Sequence, residues 1–169
     1  MAETASRERL QPSLLDRLTD HAPESRRESF DQQTLSMPVL RQAVLRDLGW
    51  LLNTTNLAST EDLSATPLAA KSTLNYGSPG FTGLVGTAGR MTALETGLTA
   101  AIRAFEPRIR PETLSVRLRQ GASDAATPTL RFEIAGDLWA HPVPEQLFLE
   151  TAIELETRAA VVTDARARR

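Results

Sequence analysis

Apolar side chains recur at steps of three and four residues in two long stretches of the sequence, residues 37–53 and 91–105. At 3.6 residues per turn this spacing gathers them on one stripe, so each stretch predicts an amphipathic helix with one face toward a core. Pro38 favours the first turn of the earlier helix, and Pro107 ends the later one near Phe105 because proline excludes further helix. The stripes are Leu40, Ala43, Val44, Leu48, Leu51 and Leu52, and Met91, Leu94, Leu98, Ala101, Ile102 and Phe105.

Weaker signals mark three further helical features. Thr92 followed by Glu95 has the spacing of a capping box and predicts a helix start at that point. Residues 12–18 predict a short helix with three leucines on one side, which needs an apolar surface to lie on, either in this chain or in a partner. In the connector of residues 59–72 we expect one helical turn at Leu63.

After Pro107 the hydrophobic period changes from 3.6 to 2. Residues 114–119 and 130–135 alternate apolar and polar side chains, which predicts two half-buried antiparallel strands joined by a turn at residues 120–128. Prolines within residues 136–146 interrupt the sheet, and the alternation of residues 147–162 predicts one third strand. The fold class expected is α+β, with helices packed on one face of a small, mainly antiparallel three-stranded sheet.

An open sheet of this kind has two edge strands. Each edge presents a row of backbone donors and acceptors to which a strand of another chain can add. The sequence therefore predicts a possible docking template, without indicating which edge is free.

The length of the chain indicates one domain, and its positive and negative charges are nearly balanced. The 169 residues carry a formal net charge of -2, and we expect a single domain over residues 12–162, with a flexible N-terminus (1–11) and a flexible tail (163–169). There is no cysteine, which excludes disulfides and thiolate metal sites. Arginines are spread among nearly equal numbers of acids, so nucleic acid is not expected as a partner.

Several other functional classes lack their sequence signals. No apolar run is long enough to span a bilayer and the first residues lack a signal-peptide core, so we expect a cytoplasmic protein without direct membrane insertion. Glycines recur every three residues from Gly77 to Gly89, but they fit neither a P-loop nor a dinucleotide-binding fingerprint. His21 and His141 have no ligand-spaced neighbours. No cofactor or metal site is predicted.

A carboxylate stands at an unfavourable place at the end of the later helix. Glu106 lies beside unpaired carbonyls whose partial negative charge costs a carboxylate about 0.3–1 kcal/mol. A nearby cation would offset this cost. Arg108, Arg103, Arg110 and an arginine of another chain are all candidates, and a solvated surface pair is the alternative that involves no binding.

Six short blocks in a fixed order resemble one known family. They are Arg46-Asp47-Leu48, Leu51-Leu52-Asn53-Thr54, Leu74-Asn75-Tyr76-Gly77, Ile102 with Phe105-Glu106-Pro107-Arg108, Leu138-Trp139 with Pro144-Glu145, and Leu155-Glu156-Thr157. Together they resemble TssE, the type VI secretion baseplate subunit, which is similar to the wedge protein of contractile phage tails once called lysozyme-like. The resemblance covers about residues 10–162.

The resemblance implies a structural, non-enzymatic protein in a cytoplasmic baseplate docked at the inner membrane. It implies assembly with TssF, TssG and TssK around hub proteins, and contact with the first ring of contractile sheath subunits, whose related domain completes its sheet with strands from neighbouring subunits. The protein-interaction residues that it implies are Glu106, Pro107, Arg108, Asn75, Tyr76 and Gly77. One departure is Thr55, where the family commonly has arginine.

Two alternatives remain open from the sequence. A wedge or adaptor protein of another contractile injection particle or phage tail would share nearly every feature. A peptidoglycan hydrolase would need two carboxyl groups about 5–9.5 Å apart. Glu106 with Glu112 and Glu106 with Asp137 are candidate pairings, and nothing in the sequence indicates that these residues converge.

Overall fold

A computed structural model describes residues 13–19, 23–24, 36–80, 88–119, 129–139, 145–154, 157 and 159–165 of the chain. The helices in these ranges are Leu14–Leu18 (α1), Met37–Leu52 (α2), Pro67–Ala70 (α3) and Ala88–Phe105 (α4). The strands, all after α4, are Ser115–Arg119 (β1), Thr129–Leu138 (β2), Glu145–Glu154 (β3) and Ala160–Asp164 (β4). The fold is therefore α+β, as predicted.

Some predicted features lie outside the described residues. These are residues 1–12, the middle of the glycine-containing loop (81–87), the turn at 120–128 and the end of the tail (166–169), together with His21 and His141. At the other boundary of the tail, β4 runs to Asp164. The first two residues of the expected tail thus belong to the sheet.

The two long helices follow their hydrophobic stripes. All six predicted stripe residues of α2 are buried, and in α4 Leu94, Leu98 and Ile102 are buried. The capping box was wrong: α4 extends back to Ala88, so Thr92 lies inside the helix. Glu95 instead reaches the sheet, where its Oε1 accepts the backbone N–H of Leu118 at 2.6 Å. In a capping box Glu95 would accept the backbone N–H of Thr92, but Thr92 lies inside α4. The N–H of Leu118 has no partner in a neighbouring strand, so it is the better donor for the Glu95 carboxylate.

The sheet has four antiparallel strands in the order β1-β2-β3-β4, and the predicted three-stranded sheet was wrong in number. Residues 147–162, expected to form one strand, belong to β3 and β4. The chain reverses so that Ile153 pairs with Ala160, and the N–H of Glu154 donates to the carbonyl of Ala159 at 3.0 Å. The ten residues of β3 already match the ten of β2. By turning back, the remaining apolar residues can still reach the core.

One hydrophobic cluster joins the helices to one face of the sheet. The opposite sheet face carries the alternate, more polar positions, among them Arg117 and Glu133. Packing of α2 and α4 on a single face agrees with the predicted layers. The cluster contains Leu40, Val44, Leu48, Leu51, Leu52, Leu94, Leu98, Ile102, Ile109, Leu114, Val116, Phe132, Ile134, Leu138, Leu147, Leu149, Ile153 and Ala160.

Polar side chains from α2 and its C-cap hold β4 in place. The guanidinium of Arg41 forms ion pairs with Asp164 at the end of β4 and with Glu145 at the start of β3. Asn53, the C-cap residue of α2, accepts the N–H of Ala160 at 2.9 Å and donates to its carbonyl at 2.8 Å. Both ends of β4 are thus tied to α2.

The shorter helices differ from expectation. The segment at Leu63 is a turn, closed by the N–H of Thr66 on the Leu63 carbonyl, because the carboxylate of Asp62 binds both the N–H and hydroxyl of Ser64. Helical turns lie on either side, at Leu57–Ser59, Pro67–Ala70 and Thr73–Asn75. The leucines of α1 do not enter the core: Leu14 is 71% exposed and Leu18 is 74% exposed.

Candidate functional site

The turn after α4 positions Glu106 through its backbone. The N–H of Glu106 makes the last helical bond, to the Ile102 carbonyl at 2.8 Å, and the buried Ile109 donates its N–H to the Glu106 carbonyl at 3.2 Å. The next residues pair with the end of β2, because the N–H of Trp139 bonds the Arg108 carbonyl at 2.7 Å. Held on both sides, the Glu106 side chain lies inside the protein, only 2% exposed.

The cation that Glu106 requires is Arg108 of the same chain. Its Nε lies 2.6 Å from Oε1 of Glu106, and its Nη2 lies 2.5 Å from Oε2, so the two groups meet side by side. The backbone N–H of Arg108 also donates to Oε1, at 3.2 Å. This paired geometry is the strong form of an arginine–carboxylate contact. The question that the sequence left open is settled in favour of an internal partner, while Arg103 and Arg110 are not the partners of Glu106.

Arg108 links the turn to α2 and, through α2, to α1. Its Nη2 is 2.5 Å from Oδ2 of Asp47, whose Oδ1 accepts the Nε of Arg46 at 2.9 Å. Arg46 in turn donates from Nη1 to Asp16 of α1 at 2.6 Å. The guanidinium of Arg46 also lies over the ring of Trp50, 4.9 Å from its centroid. We call the five charged residues Glu106, Arg108, Asp47, Arg46 and Asp16 the ionic network.

The electrostatics of the ionic network follow from burial and pairing. Burial by itself would lower the pKa of the Arg108 guanidinium, but the hydrogen bonds and charges of Glu106 and Asp47 outweigh it and raise that pKa. A hydrogen bond from Arg46 lowers the pKa of Asp16. Arg108 keeps one buried donor, Nη1, without a hydrogen-bond partner among the described residues. The Arg108 side chain as a whole remains 21% exposed.

Of the loop residues Asn75, Tyr76 and Gly77, Tyr76 lies beside this network. The ring of Tyr76 packs edge-to-face on Phe105, with 5.2 Å between centroids. Burial raises the pKa of the Tyr76 hydroxyl, and the charges of Asp47 and Glu106 raise it further. The side chain of Asn75 bonds within the chain: it accepts the N–H of Ala58 and donates to the carbonyl of Ala70, each at 2.9 Å.

Gly77 sets the path of the loop that carries Tyr76. Its φ is 130°, in the region that side chains other than glycine rarely adopt, and a Cβ there would lie 2.5 Å from the Thr54 carbonyl oxygen. The next residue, Ser78, donates its N–H to that same oxygen at 2.8 Å. Thr55, where the sequence departs from the family pattern, forms a parallel bridge with Ser78. The structure therefore brings Tyr76 to Glu106, while Asn75 and Gly77 hold the loop.

A family model described as baseplate wedge protein gp25 matches residues 39–143, more than half of the chain. The chain belongs to the gp25 baseplate wedge family. The match includes Asp47, Tyr76 and the Glu106-Pro107-Arg108 turn, and it leaves out α1, β3 and β4. Membership supports the predicted resemblance and a structural role in a phage-tail-like baseplate. No curated protein matches the chain.

Other kinds of site find little support in the described part of the chain. No group of three or more histidine, aspartate or glutamate side chains there could hold a metal ion. Both carboxylate oxygens of Glu106 face Arg108, which leaves no free oxygen on that carboxylate for the hydrolase pairing considered from the sequence. None of the described helices combines the length and apolar composition that a bilayer crossing requires.

Sequence reasoning missed two members of the ionic network. Asp47 was named only as part of a family block, and Asp16 was not singled out. The available signal was a charged pair, Arg46-Asp47, next to a core stripe in α2. That signal indicates the side of α2 on which the charges lie. It does not identify their distant partners, which are Arg108 for Asp47 and Asp16 for Arg46.

Proposed function

We propose that the chain is a structural subunit of the type VI secretion baseplate wedge, that it binds TssF, TssG and TssK, and that it contacts the first ring of the contractile sheath. Family membership over residues 39–143 carries the baseplate role. The type VI assignment rests on the six sequence blocks, which extend beyond that match. In this proposal the protein acts in the cytoplasm, in a baseplate docked at the inner membrane, and has no catalytic activity.

The proposed contact with other wedge proteins is formed by those of the six predicted interaction residues that reach the surface. Pro107 is exposed, and Arg108, Asn75 and Tyr76 are half-buried, whereas Glu106 and Gly77 are buried. The exposed proline and the exposed part of the Arg108 side chain together form the surface proposed for a partner. Glu106 acts as a positioning residue that orients Arg108, and Gly77 sets the path of the loop that carries Tyr76.

Nη1 of Arg108 is a buried donor without a partner among the described residues, and such a donor costs about 1–3 kcal/mol. Because the atom itself is buried, it supports the proposed contact only indirectly. The part of Arg108 that a partner can touch is the exposed 21% of its side chain. Arginine side chains are common anchors at protein interfaces.

The test is a pull-down of TssF and TssG with tagged wild-type protein, Pro107→Glu and Pro111→Glu. Both prolines are exposed, so both variants should remain folded, which circular dichroism checks. We expect Pro107→Glu to lose capture and Pro111→Glu to retain it. Equal capture by all three would remove the turn from the interface. If wild-type protein captures neither TssF nor TssG, the type VI assignment fails and a wedge of another contractile particle becomes the better proposal.

A further inference from the structure

Helix α1 turns a polar residue toward the domain and its leucines outward. The ion pair of Asp16 with Arg46 joins it to α2, with 2.6 Å between the paired atoms. None of its five residues is buried, and Leu14, Leu15 and Leu18 are all exposed. An amphipathic helix of an isolated domain normally turns its apolar side to its own core. The apolar surface that the sequence requires for these leucines is therefore not supplied by the described part of this chain.

Local hydrogen bonds keep α1 helical although its leucines are not buried. The hydroxyl of Ser13 accepts the N–H of Asp16 at 3.3 Å and donates to Oδ2 of Asp16 at 2.7 Å. At the other end, the hydroxyl of Thr19 donates to the Leu15 carbonyl at 2.8 Å. Because so short a helix is marginal by itself in water, these caps and the ion pair together hold the leucines in one arrangement.

An exposed aromatic side chain lies on the same arginine that binds α1. The guanidinium of Arg46, which donates to Asp16, also lies over the ring of Trp50, and Trp50 is 48% exposed. Large apolar side chains exposed close together are typical of sites where another protein binds. We call Leu14, Leu15, Leu18 and Trp50 the leucine patch.

One cation beside the leucine patch has no opposite charge. Arg17 is exposed in the last turn of α1 and forms no ion pair within the residues that the structure describes. Arg46, in contrast, is already paired with Asp16 and Asp47. A complementary surface therefore combines apolar side chains with an acidic one placed next to Arg17.

The leucine patch is linked to the turn proposed for the wedge contact. Arg46 bonds Asp47, and Asp47 bonds Arg108. The pKa of Asp16 is lowered first by its hydrogen bond from Arg46 and in smaller part by the charge of Arg108. Because such charge effects fall off with distance, α1 lies close enough to Arg108 for one partner to contact both.

We propose that the leucine patch docks an amphipathic helix of the wedge partner that contacts Pro107 and Arg108. This helix carries apolar residues at three- and four-residue steps and an acidic residue that faces Arg17. The inference rests on the proposed function, since it adds a second surface to the same contact. It also gives a role to α1, which lies outside the family match.

A second copy of this chain fits the leucine patch less well. In a symmetric pair the same surface of each copy faces the other, so two Arg17 side chains would approach each other. The one acidic residue of α1, Asp16, cannot offset this repulsion because it is already bonded to Arg46 and Ser13.

Matched glutamine substitutions test the leucine patch. Leu18→Gln removes an apolar side chain from the patch, and Leu68→Gln removes one that is 85% exposed on α3, outside the patch. Glutamine has nearly the helix propensity of leucine, and neither leucine belongs to the core, so both variants should remain folded. In biolayer interferometry with purified TssF and TssG, we expect Leu18→Gln to bind about tenfold more weakly than wild type. Leu68→Gln should bind as wild type does.

The outcomes of this comparison separate the inference from the proposed function. Equal binding by Leu18→Gln and Leu68→Gln contradicts docking at the leucine patch. It leaves the proposed function standing, which Pro107→Glu tests separately. Absence of binding by wild-type protein contradicts both. Sedimentation velocity of wild-type protein alone must show a monomer, since dimers that Leu18→Gln abolishes would assign the patch to a second copy instead.

Charge substitutions at Arg17 test the predicted acidic residue of the partner. We expect Arg17→Glu to weaken binding about fivefold and Arg17→Lys to leave it nearly unchanged, with the difference shrinking at high salt. A mere loss of helix propensity in α1 would not show this salt dependence. Equal binding by the two variants at low salt would contradict an acidic residue opposite Arg17.

Photo-crosslinking identifies the docked segment directly. With Leu18→p-benzoylphenylalanine, we expect irradiation to attach a TssF or TssG peptide that has the predicted apolar spacing and an acidic residue, as identified by mass spectrometry. With Leu68→p-benzoylphenylalanine, that peptide should not be attached. A crosslink from position 18 only to a second copy of the chain, or to a peptide without this pattern, would overturn the proposal.

Discussion

At the residue scale, the least replaceable contact is the one between Glu106 and Arg108. Replacing Arg108 with Met leaves the Glu106 carboxylate buried without its cation, and we expect a loss of about 3–5 kcal/mol in the free energy of unfolding. Glu106→Gln should cost less, about 1–3 kcal/mol, because Asp47 still neutralises Arg108. Urea denaturation followed by circular dichroism measures both.

The double variant Glu106→Leu with Arg108→Met is the control for this pair. Removing both charges takes away the uncompensated carboxylate, so the double variant should recover part of the stability that Arg108→Met loses. The cycle is completed by Glu106→Leu alone. If the losses of Glu106→Leu and Arg108→Met simply add in the double variant, the two residues do not stabilise the fold as a pair.

A second prediction at this scale is that alanine at Gly77 and alanine at Gly49 change the stability in opposite directions. Gly77→Ala forces a Cβ to 2.5 Å from the Thr54 carbonyl oxygen at a φ of 130°, and it should destabilise the fold by about 1–3 kcal/mol. Gly49→Ala lies within α2 with no heavy atom within 4 Å of the new Cβ, so it should stabilise by about 0.5–1 kcal/mol. Urea midpoints of the two variants should therefore move in opposite directions. A neutral Gly77→Ala would mean that the loop can relax.

The sequence allowed part of this site to be predicted, for a local reason. Glu106 conflicts with its own helix end, and that conflict can be seen from neighbouring residues alone, as can Arg108 two positions away. Asp47 and Asp16 join the site only because α2 and α1 pack near the turn. Their contacts with Arg108 and Arg46 span 61 and 30 positions of sequence. Hydrophobic periodicity gives the faces of helices but not which charged residues meet across them.

At the element scale, α1 is joined to α2 by the ion pair of Asp16 with Arg46, and this contact should weaken in acid. The lowered pKa of Asp16 means that its stabilising contribution is complete above the ordinary value of 3.8 and is lost as pH falls through the lower folded-state pKa. We expect wild-type protein to exceed Asp16→Asn by about 0.5–1 kcal/mol at pH 7. This difference should decrease as the pH is lowered from 7 to 2, as measured by urea titration at both values.

Arg17→Gln serves as the control for this titration, since it removes a charge from α1 without touching Asp16. Its stability relative to wild type should not follow the same acid dependence. A difference between wild type and Asp16→Asn that is as large at pH 2 as at pH 7 would show that Asp16 acts through its hydrogen bond from Ser13 or through helix capping.

The elements themselves were predictable where one period extends over a long stretch. The stripes of α2 and α4 and the alternation of β1 and β2 each gave the correct type of element. The reversal between β3 and β4 was missed because residues 155–159 contain no glycine, proline or asparagine, so the alternation runs through the turn without a break. Its cause is tertiary: β3 is already matched to β2 along its whole length.

At the scale of the whole molecule, the helices protect one face of the sheet and also its edges. Glu95 of α4 reaches β1, and Asn53 at the end of α2 reaches β4, each binding an outward backbone group. The core cluster contains residues of α2, α4 and all four strands. Because the elements share these contacts, none of the larger ones should unfold while the others remain folded.

The final prediction is that the domain unfolds as one cooperative unit, and the two tryptophans permit a direct test. Trp50 lies on α2 beside Arg46, and Trp139 follows β2 near Arg108. In Trp139→Phe the fluorescence reports α2, and in Trp50→Phe it reports the end of the sheet. Within each variant, the urea midpoint from fluorescence should equal the midpoint from far-UV circular dichroism. If either pair of midpoints separates, the helical layer and the sheet unfold independently, and the single domain proposed from the sequence is wrong.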